Sequence, residues 1–230
     1  TIFVRAYNPN TGCFTIMSLL TNVVDAPGAN QIAPLEICSF NNDGYGIFNL
    51  IPTTVMIAGN PIPPGVQVSY HETLADANNN VNKIPNIGVY QNIVPNIQTI
   101  YVRVGYQNST CSAIVPLELI VKSTPIITTP TPLTACDSNN DGVADFDLTS
   151  KINEILNGLD PLRYIVTFYT NEDNANAGTN EITNPGSFSN LTSNVVFVRV
   201  QDNTAGCYKV TRLVLVTNPT PVIVNPIATY

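Results

Sequence analysis

Val196-Phe197-Val198-Arg199-Val200, with Cys207 eight residues beyond its arginine, is the stretch on which the reading of this chain turns. The same arrangement occurs twice more, as Ile100-Tyr101-Val102-Arg103-Val104 with Cys111 and as Ile2-Phe3-Val4-Arg5-Ala6 with Cys13. Cys13 and Cys111 stand 98 residues apart, and Cys111 and Cys207 stand 96 apart. A second landmark keeps the period. Cys38…Asn41-Asn42-Asp43-Gly44…Phe48-Asn49-Leu50 returns 98 residues on as Cys136…Asn139-Asn140-Asp141-Gly142…Phe146-Asp147-Leu148. A third, Val68-Ser69-Tyr70…Ala77, returns as Val166-Thr167-Phe168…Ala175. Three landmarks in one order at a near-constant offset define an internal repeat.

The period divides the 230 residues into four parts. These are the C-terminal part of a truncated repeat (1–28), two complete repeats (29–126 and 127–222), and a linker toward a further repeat (223–230). The opening Thr1-Ile2-Phe3-Val4-Arg5 reads as the middle of a strand. Both ends are therefore expected to be cuts through a longer array, with any export signal outside the segment.

Each repeat alternates short β-branched and aromatic runs with Pro, Gly and Asn breaks, the pattern of all-β structure. Strands are expected at 35–38, 66–71, 99–105 and 112–122, and again at 133–136, 164–170, 195–201 and 208–217. Apolar residues alternate in Leu117/Leu119/Val121 against Pro116/Glu118/Ile120, so one face of the sheet is buried. Thr/Pro segments separate the units and read as semi-stiff extended linkers. The expected fold is a tandem array of immunoglobulin-like β-sandwich repeats of about 98 residues. In the second complete repeat Leu148, Ile152, Ile155 and Leu156 share a helical face, with Asp147 or Thr149 as cap and Gly158 as stop. In the first, Pro52 and β-branched neighbours predict a shorter helix or none.

Composition excludes several function classes. Nine Lys plus Arg are scattered singly and the net charge is −7, so no basic stripe exists to neutralise phosphates or an anionic membrane surface. No apolar run is long enough to span a bilayer. His71 is the only histidine, which leaves no triad or zinc site built on paired imidazoles, and it reads as a surface group beside Glu72. Arg5, Arg103 and Arg199 recur mid-strand and are read as structural, with stems over apolar neighbours and heads paired at the surface. No enzyme is expected.

Five cysteines, all placed by the period, call for bridges rather than free thiols in a cytosolic protein. In an immunoglobulin-like domain the first strand starts at the end where the loop before the last strand lies. The pairs expected on that ground are Cys38–Cys111 and Cys136–Cys207. Cys13 would then bond a partner upstream of the segment. Persistent bridges imply an oxidising, extracellular compartment.

The strongest local motif is Asp137-Ser138-Asn139-Asn140-Asp141-Gly142-Val143-Ala144-Asp145-Phe146-Asp147. Oxygen ligands at alternate positions followed by glycine is how a short loop wraps Ca2+. Asp137, Asn139 and Asp141, the Val143 carbonyl, and Asp145 or Asp147 form the candidate shell, although Leu148 stands where an EF-hand has its closing Glu. The competing reading is an Asx-rich turn bonded to its own amides.

Cys136-Asp137…Asp141-Gly142…Phe146-Asp147-Leu148-Thr149, then Tyr169-Thr170-Asn171…Ala175, then Val198-Arg199-Val200…Gly206-Cys207, resembles the tandem repeats of giant cell-surface adhesins of Bacteroidota. These include the flavobacterial gliding-motility adhesin and other type IX secretion substrates. The resemblance implies a long surface filament or stalk, exported to the cell surface, whose repeats space an adhesive tip or adhere themselves. Neighbouring repeats would be its partners, with surface glycans or other surface proteins beyond them. A different expectation is a carbohydrate-binding or spacer module of a secreted multidomain hydrolase.

Overall fold

The computed structural model describes residues 1–21, 25–39, 41–107 and 110–221, so the expected linker 223–230 lies outside the described residues. β1 (Ile2–Tyr7) and β2 (Phe14–Leu19) form an antiparallel hairpin. The first complete repeat follows with β3 (Leu35–Cys38), β4 (Ile47–Phe48), α1 (Ile51–Ala58), β5 (Val66–His71), α2 (Leu74–Asn79), β6 (Tyr90–Gln91), β7 (Ile97–Tyr106) and β8 (Ser112–Lys122). The second has β9 (Leu133–Asp137), β10 (Asp145–Phe146), a 3-10 turn (Leu148–Lys151) running into α3 (Ile152–Leu156), β11 (Tyr164–Tyr169), α4 (Glu172–Ala177), β12 (Phe188–Ser189), β13 (Val195–Asp202) and β14 (Tyr208–Pro219).

Both repeats build the same two sheets. One has the order β3-β8-β7-β5, repeated as β9-β14-β13-β11, and a two-stranded sheet accompanies each, β4-β6 and β10-β12. The alternation read in the sequence decides which face is buried. Ile100, Val102 and Val104 of β7 meet Leu117 and Leu119 of β8, and Val196, Val198 and Val200 meet Leu213 and Leu215, all within 3 % of full burial. Each such side chain contributes about 1.5–3 kcal/mol by leaving water. Phe48 and Leu50, and their counterparts Phe146 and Leu148, come from the small sheet and the turn after it to close each core. This is the expected all-β, immunoglobulin-like architecture.

The compact units do not follow the repeat boundaries of the sequence. The first holds residues 1–35, 47–92 and 97–120, and the second holds 36–46, 93–96 and everything from Val121 onward. The end of β3, the Asn-rich loop after it and the end of β8 thus pack with the second repeat.

The helices correct the sequence reading. α1, where Pro52 predicts a shorter helix or none, is an eight-residue helix and longer than α3. Pro52 sits in its first turn, where the missing N–H has no intrahelical acceptor to lose. The Tyr70 hydroxyl anchors this helix by bonding Thr53 at 2.7 Å and Thr54 at 2.9 Å. In the second repeat Asp147 accepts from the Thr149 N–H at 3.0 Å, the expected cap, and the chain leaves α3 through Asn157 and Gly158, both at positive φ. Two further short helices, α2 and α4, follow β5 and β11. Their caps are Thr73 and Asn171, whose side chains accept the N–H three residues on.

Candidate functional site

Cys38 ends β3 and Cys207 precedes β14, and the two are joined, with Cα atoms 5.6 Å apart and a separation of 169 in sequence. Neither Cys38–Cys111 nor Cys136–Cys207 forms. The reason is strand direction. β9 runs parallel to β14 and pairs with its far end, placing Cys136 opposite Asn218. Cys207 lies before the near end, eleven residues away along an extended strand, on the order of 35 Å. The first repeat repeats this placement, since Ser39 N–H donates to the Lys122 carbonyl at the end of β8. The first strand lies beside the far half of the last strand, not beside its start, and its cysteine is at the opposite end of that strand from the cysteine assigned to it. Cys13 and Cys136 carry exposed thiols.

The loop that presents Cys207 is braced from inside the second unit. Gly206 N–H donates to the Asp202 carbonyl at 2.7 Å with Gly206 at φ +79°, a conformation that suits glycine. The Asp202 carboxylate accepts from the Thr204 and Ala205 N–H groups and is gripped by Arg163, whose Nη2 lies 2.7 Å from Oδ2. The Arg163 bonds outweigh burial and hold the Asp202 carboxyl down at about 2. Lys122 Nζ pairs with Glu36 of β3 and donates to the Ala205 carbonyl at 3.3 Å, so a polar tie runs beside the covalent one. Beside the bridge, a cleft of about 410 Å³ is lined by Ser39, Thr124, Glu172, Asn176, Tyr208 and Lys209.

The loop expected to wrap calcium directs its oxygens to its own chain. Asp137 accepts from Asn139 N–H at 3.2 Å and Gly142 N–H at 2.6 Å, and Asp141 accepts from Val143 N–H and from the Asn139 amide. Burial pushes the Asp137 carboxyl up, but these backbone donors outweigh it and hold it below the usual range. Asp145 lies in β10 and Asp147 caps the helical turn after it. Among the described residues, no three Asp, Glu, His or Cys side chains are grouped to hold a metal ion. The hydrogen bonds are those of the Asx-rich turn.

That turn has a role the sequence reading missed. Asn140 lies at φ +60° and its amide bonds Thr220 twice, accepting from its N–H at 2.9 Å and donating to its carbonyl. Asn42, at φ +57°, does the same to Thr124 at 2.8 and 2.9 Å. Each asparagine acts as a short strand edge that fixes the chain leaving its repeat. The signal was the second Asn of Asn-Asn-Asp-Gly in both copies.

Two of the three recurrent arginines, Arg103 and Arg199, are buried rather than paired at the surface. Arg199 is 9 % exposed, and its Nη1 donates to the Ala175 and Asn176 carbonyls at the end of α4, both at 2.9 Å. Its Nε and Nη2 reach Gln201, and its guanidinium stacks on Tyr208 at 3.4 Å. Arg5 lies over Phe14 at 4.0 Å. Arg103 is 7 % exposed, and its Nη1 has no hydrogen-bond partner among the described residues. His71 is fully buried, not a surface group. Its Nδ1 lies 2.7 Å from the Val81 carbonyl, so that nitrogen carries the proton and Nε2 accepts from the Ser69 hydroxyl at 2.9 Å. Burial, with Lys83 and Arg103 nearby, lowers its pKa and keeps the ring neutral.

The sequence pattern of the Flavobacterium inter-domain disulphide bond domain matches twice, over residues 34–125 and 132–221. No curated protein matches. Solved structures similar to the chain include extracellular domains 3–5 of Drosophila OTK, at 14 % identity over 90 % of this chain and 67 % of that one, with a TM-score of 0.31. Drosophila N-cadherin EC1-3 is similar at 12 % identity over 83 % and 66 %, with a TM-score of 0.25. Likeness of this degree carries no argument about function. Among the described residues no helix is long and apolar enough to cross a membrane.

Proposed function

The chain belongs to the Flavobacterium inter-domain disulphide bond domain family, and on that premise we propose that it is a load-bearing, adhesive repeat segment of a long extracellular surface protein. The observation that carries this reading is the Cys38–Cys207 bridge, which joins the first strand of one sequence repeat to the last hairpin of the next. In a longer array the same rule assigns Cys136 to the equivalent of Cys207 in a following repeat. It assigns Cys13 and Cys111 to first-strand cysteines of repeats before them. Each repeat would then be locked to the next, and chain-entropy models give a closed loop of this size about 5 kcal/mol. The oxidising surroundings such bridges need support an extracellular, surface-attached location. Adhesion, a part in gliding and type IX export rest on the resemblance of the repeat motifs.

Pulling single chains by their two ends tests the load-bearing role. With the bridge intact, the segment between Cys38 and Cys207, a separation of 169 in sequence, cannot lengthen. Reduction should add on the order of 550–600 Å to the unfolded contour length. Equal contour lengths with and without reductant would sink the proposal.

A further inference from the structure

Arg103 Nη1 is buried without the acceptors that the end of α4 gives Arg199 Nη1, and the two side chains that hold the rest of the Arg199 guanidinium are missing beside it. Gln201 and Tyr208 face each other across β13 and β14, and the pair in the same register of β7 and β8 is Gly105 and Ser112. The hairpin β1–β2 carries Tyr7 opposite Phe14 there. Only the first complete repeat lacks both large side chains. Two other positions change charge. Lys83 stands where the second repeat has Glu181, and Tyr106 stands where it has Asp202. The result is a pocket of about 340 Å³ in the first unit, lined by Gln67, Ser69, Asn80, Lys83, Arg103 and Gln107 among others, with two cations and no carboxylate. A guanidinium held largely out of water without acceptors is costly, and an anion that accepts from its accessible edge offsets that cost.

We propose that this pocket is an oxyanion site, taking a carboxylate or sulfate group such as an acidic sugar carries. The guanidinium edge of Arg103 in the pocket wall donates to the anion and Lys83 supplies the second charge. The amides of Gln67, Asn80 and Gln107 and the Ser69 hydroxyl, all in the pocket wall, suit the hydroxyl groups of a saccharide around it. The site is separate from the bridge and does not depend on it.

The test is calorimetric titration of the full chain at constant ionic strength with sodium sulfate, sodium acetate, glucuronate and, as the neutral control, glucose. Saturable binding of the anions and none of glucose is expected. Tighter binding of glucuronate than of acetate would mark an acidic sugar as the ligand, and equal binding would mark a free oxyanion site. Both R103Q and K83Q should weaken binding about tenfold or more, the size of one charge-assisted hydrogen bond. Lys83 is exposed, so K83Q keeps the test alive if R103Q fails to fold. G105Q gives Arg103 the acceptor that Arg199 has, and should abolish binding without lowering the melting temperature. Its Cβ would meet Ser112 Cβ at 3.2 Å, a contact that a small shift of the serine relieves. No saturable anion binding, or binding unchanged in both K83Q and G105Q, would overturn the proposal.

Discussion

At Arg199 the second repeat builds a closed joint. One guanidinium ties β13 to the end of α4, to Gln201 and to the ring of Tyr208. At Arg103 the first repeat keeps the arginine, the strand and the register, but leaves Nη1 without a partner among the described residues and the side chain in the wall of a polar pocket. The cores of the two repeats superpose residue for residue in sequence, Val102 with Val198 and Leu117 with Leu213, so neither fold nor burial separates them. What separates them are side chains and acceptors around the arginine, the cross-strand pair beside it among them. An array of repeats can thus hold its architecture constant and vary what individual units bind by changing side chains that the core does not use.

The largest expected effect that tests this contrast is on stability. R199A removes several charge-assisted hydrogen bonds and a stacked ring and should cost about 3 kcal/mol. R103A removes a buried donor that lacks an acceptor and should cost about 1 kcal/mol or less. Denaturant unfolding followed by amide signals from each unit gives both values. Equal losses would mean that Arg103 is as well satisfied as Arg199, and the contrast would collapse.

A smaller effect separates the repeats by pH. His71 has its counterpart in Tyr169, so only the first repeat holds a buried imidazole. Its folded pKa is lowered by burial, so the unfolded chain takes up a proton more readily. The first unit should lose stability as pH falls below about 6.5, the unfolded value, toward the folded one. The second unit should hold until lower pH. Asp202, held at about 2 by Arg163, contributes stability that is present above the unfolded value of about 4 and is lost as pH falls toward 2. H71Q should remove the first loss and D202N the second. A common acid midpoint for both units, unmoved by either substitution, would contradict the assignment.

The strands were legible because alternation and β-branched runs are local signals, and every main strand falls within two residues of its expected place at each end. The repeat register showed each of these signals twice over. α1 was not legible, because Pro52 reads as a breaker until its place in the first helical turn is known. α2 and α4 are single turns rich in Asn, whose composition equally suits a loop. The disulfide was misassigned for a different reason. The sequence places Cys136 on the first strand but does not say which end of β14 that strand lies beside, and the pairing depends on that distance. The Arg103 pocket was readable in principle. Gly105 and Ser112 stand where Gln201 and Tyr208 stand, but their meaning appears only when the two positions are known to face each other.

Peptide mapping of the oxidised chain, digested without reductant under conditions that prevent thiol exchange, tests the central claim most directly. The account predicts a cross-linked peptide joining Cys38 to Cys207, with Cys136 recovered as an unbridged thiol. Recovery of Cys38–Cys111 and Cys136–Cys207 instead would show that each repeat closes on itself, and the locked array would be wrong.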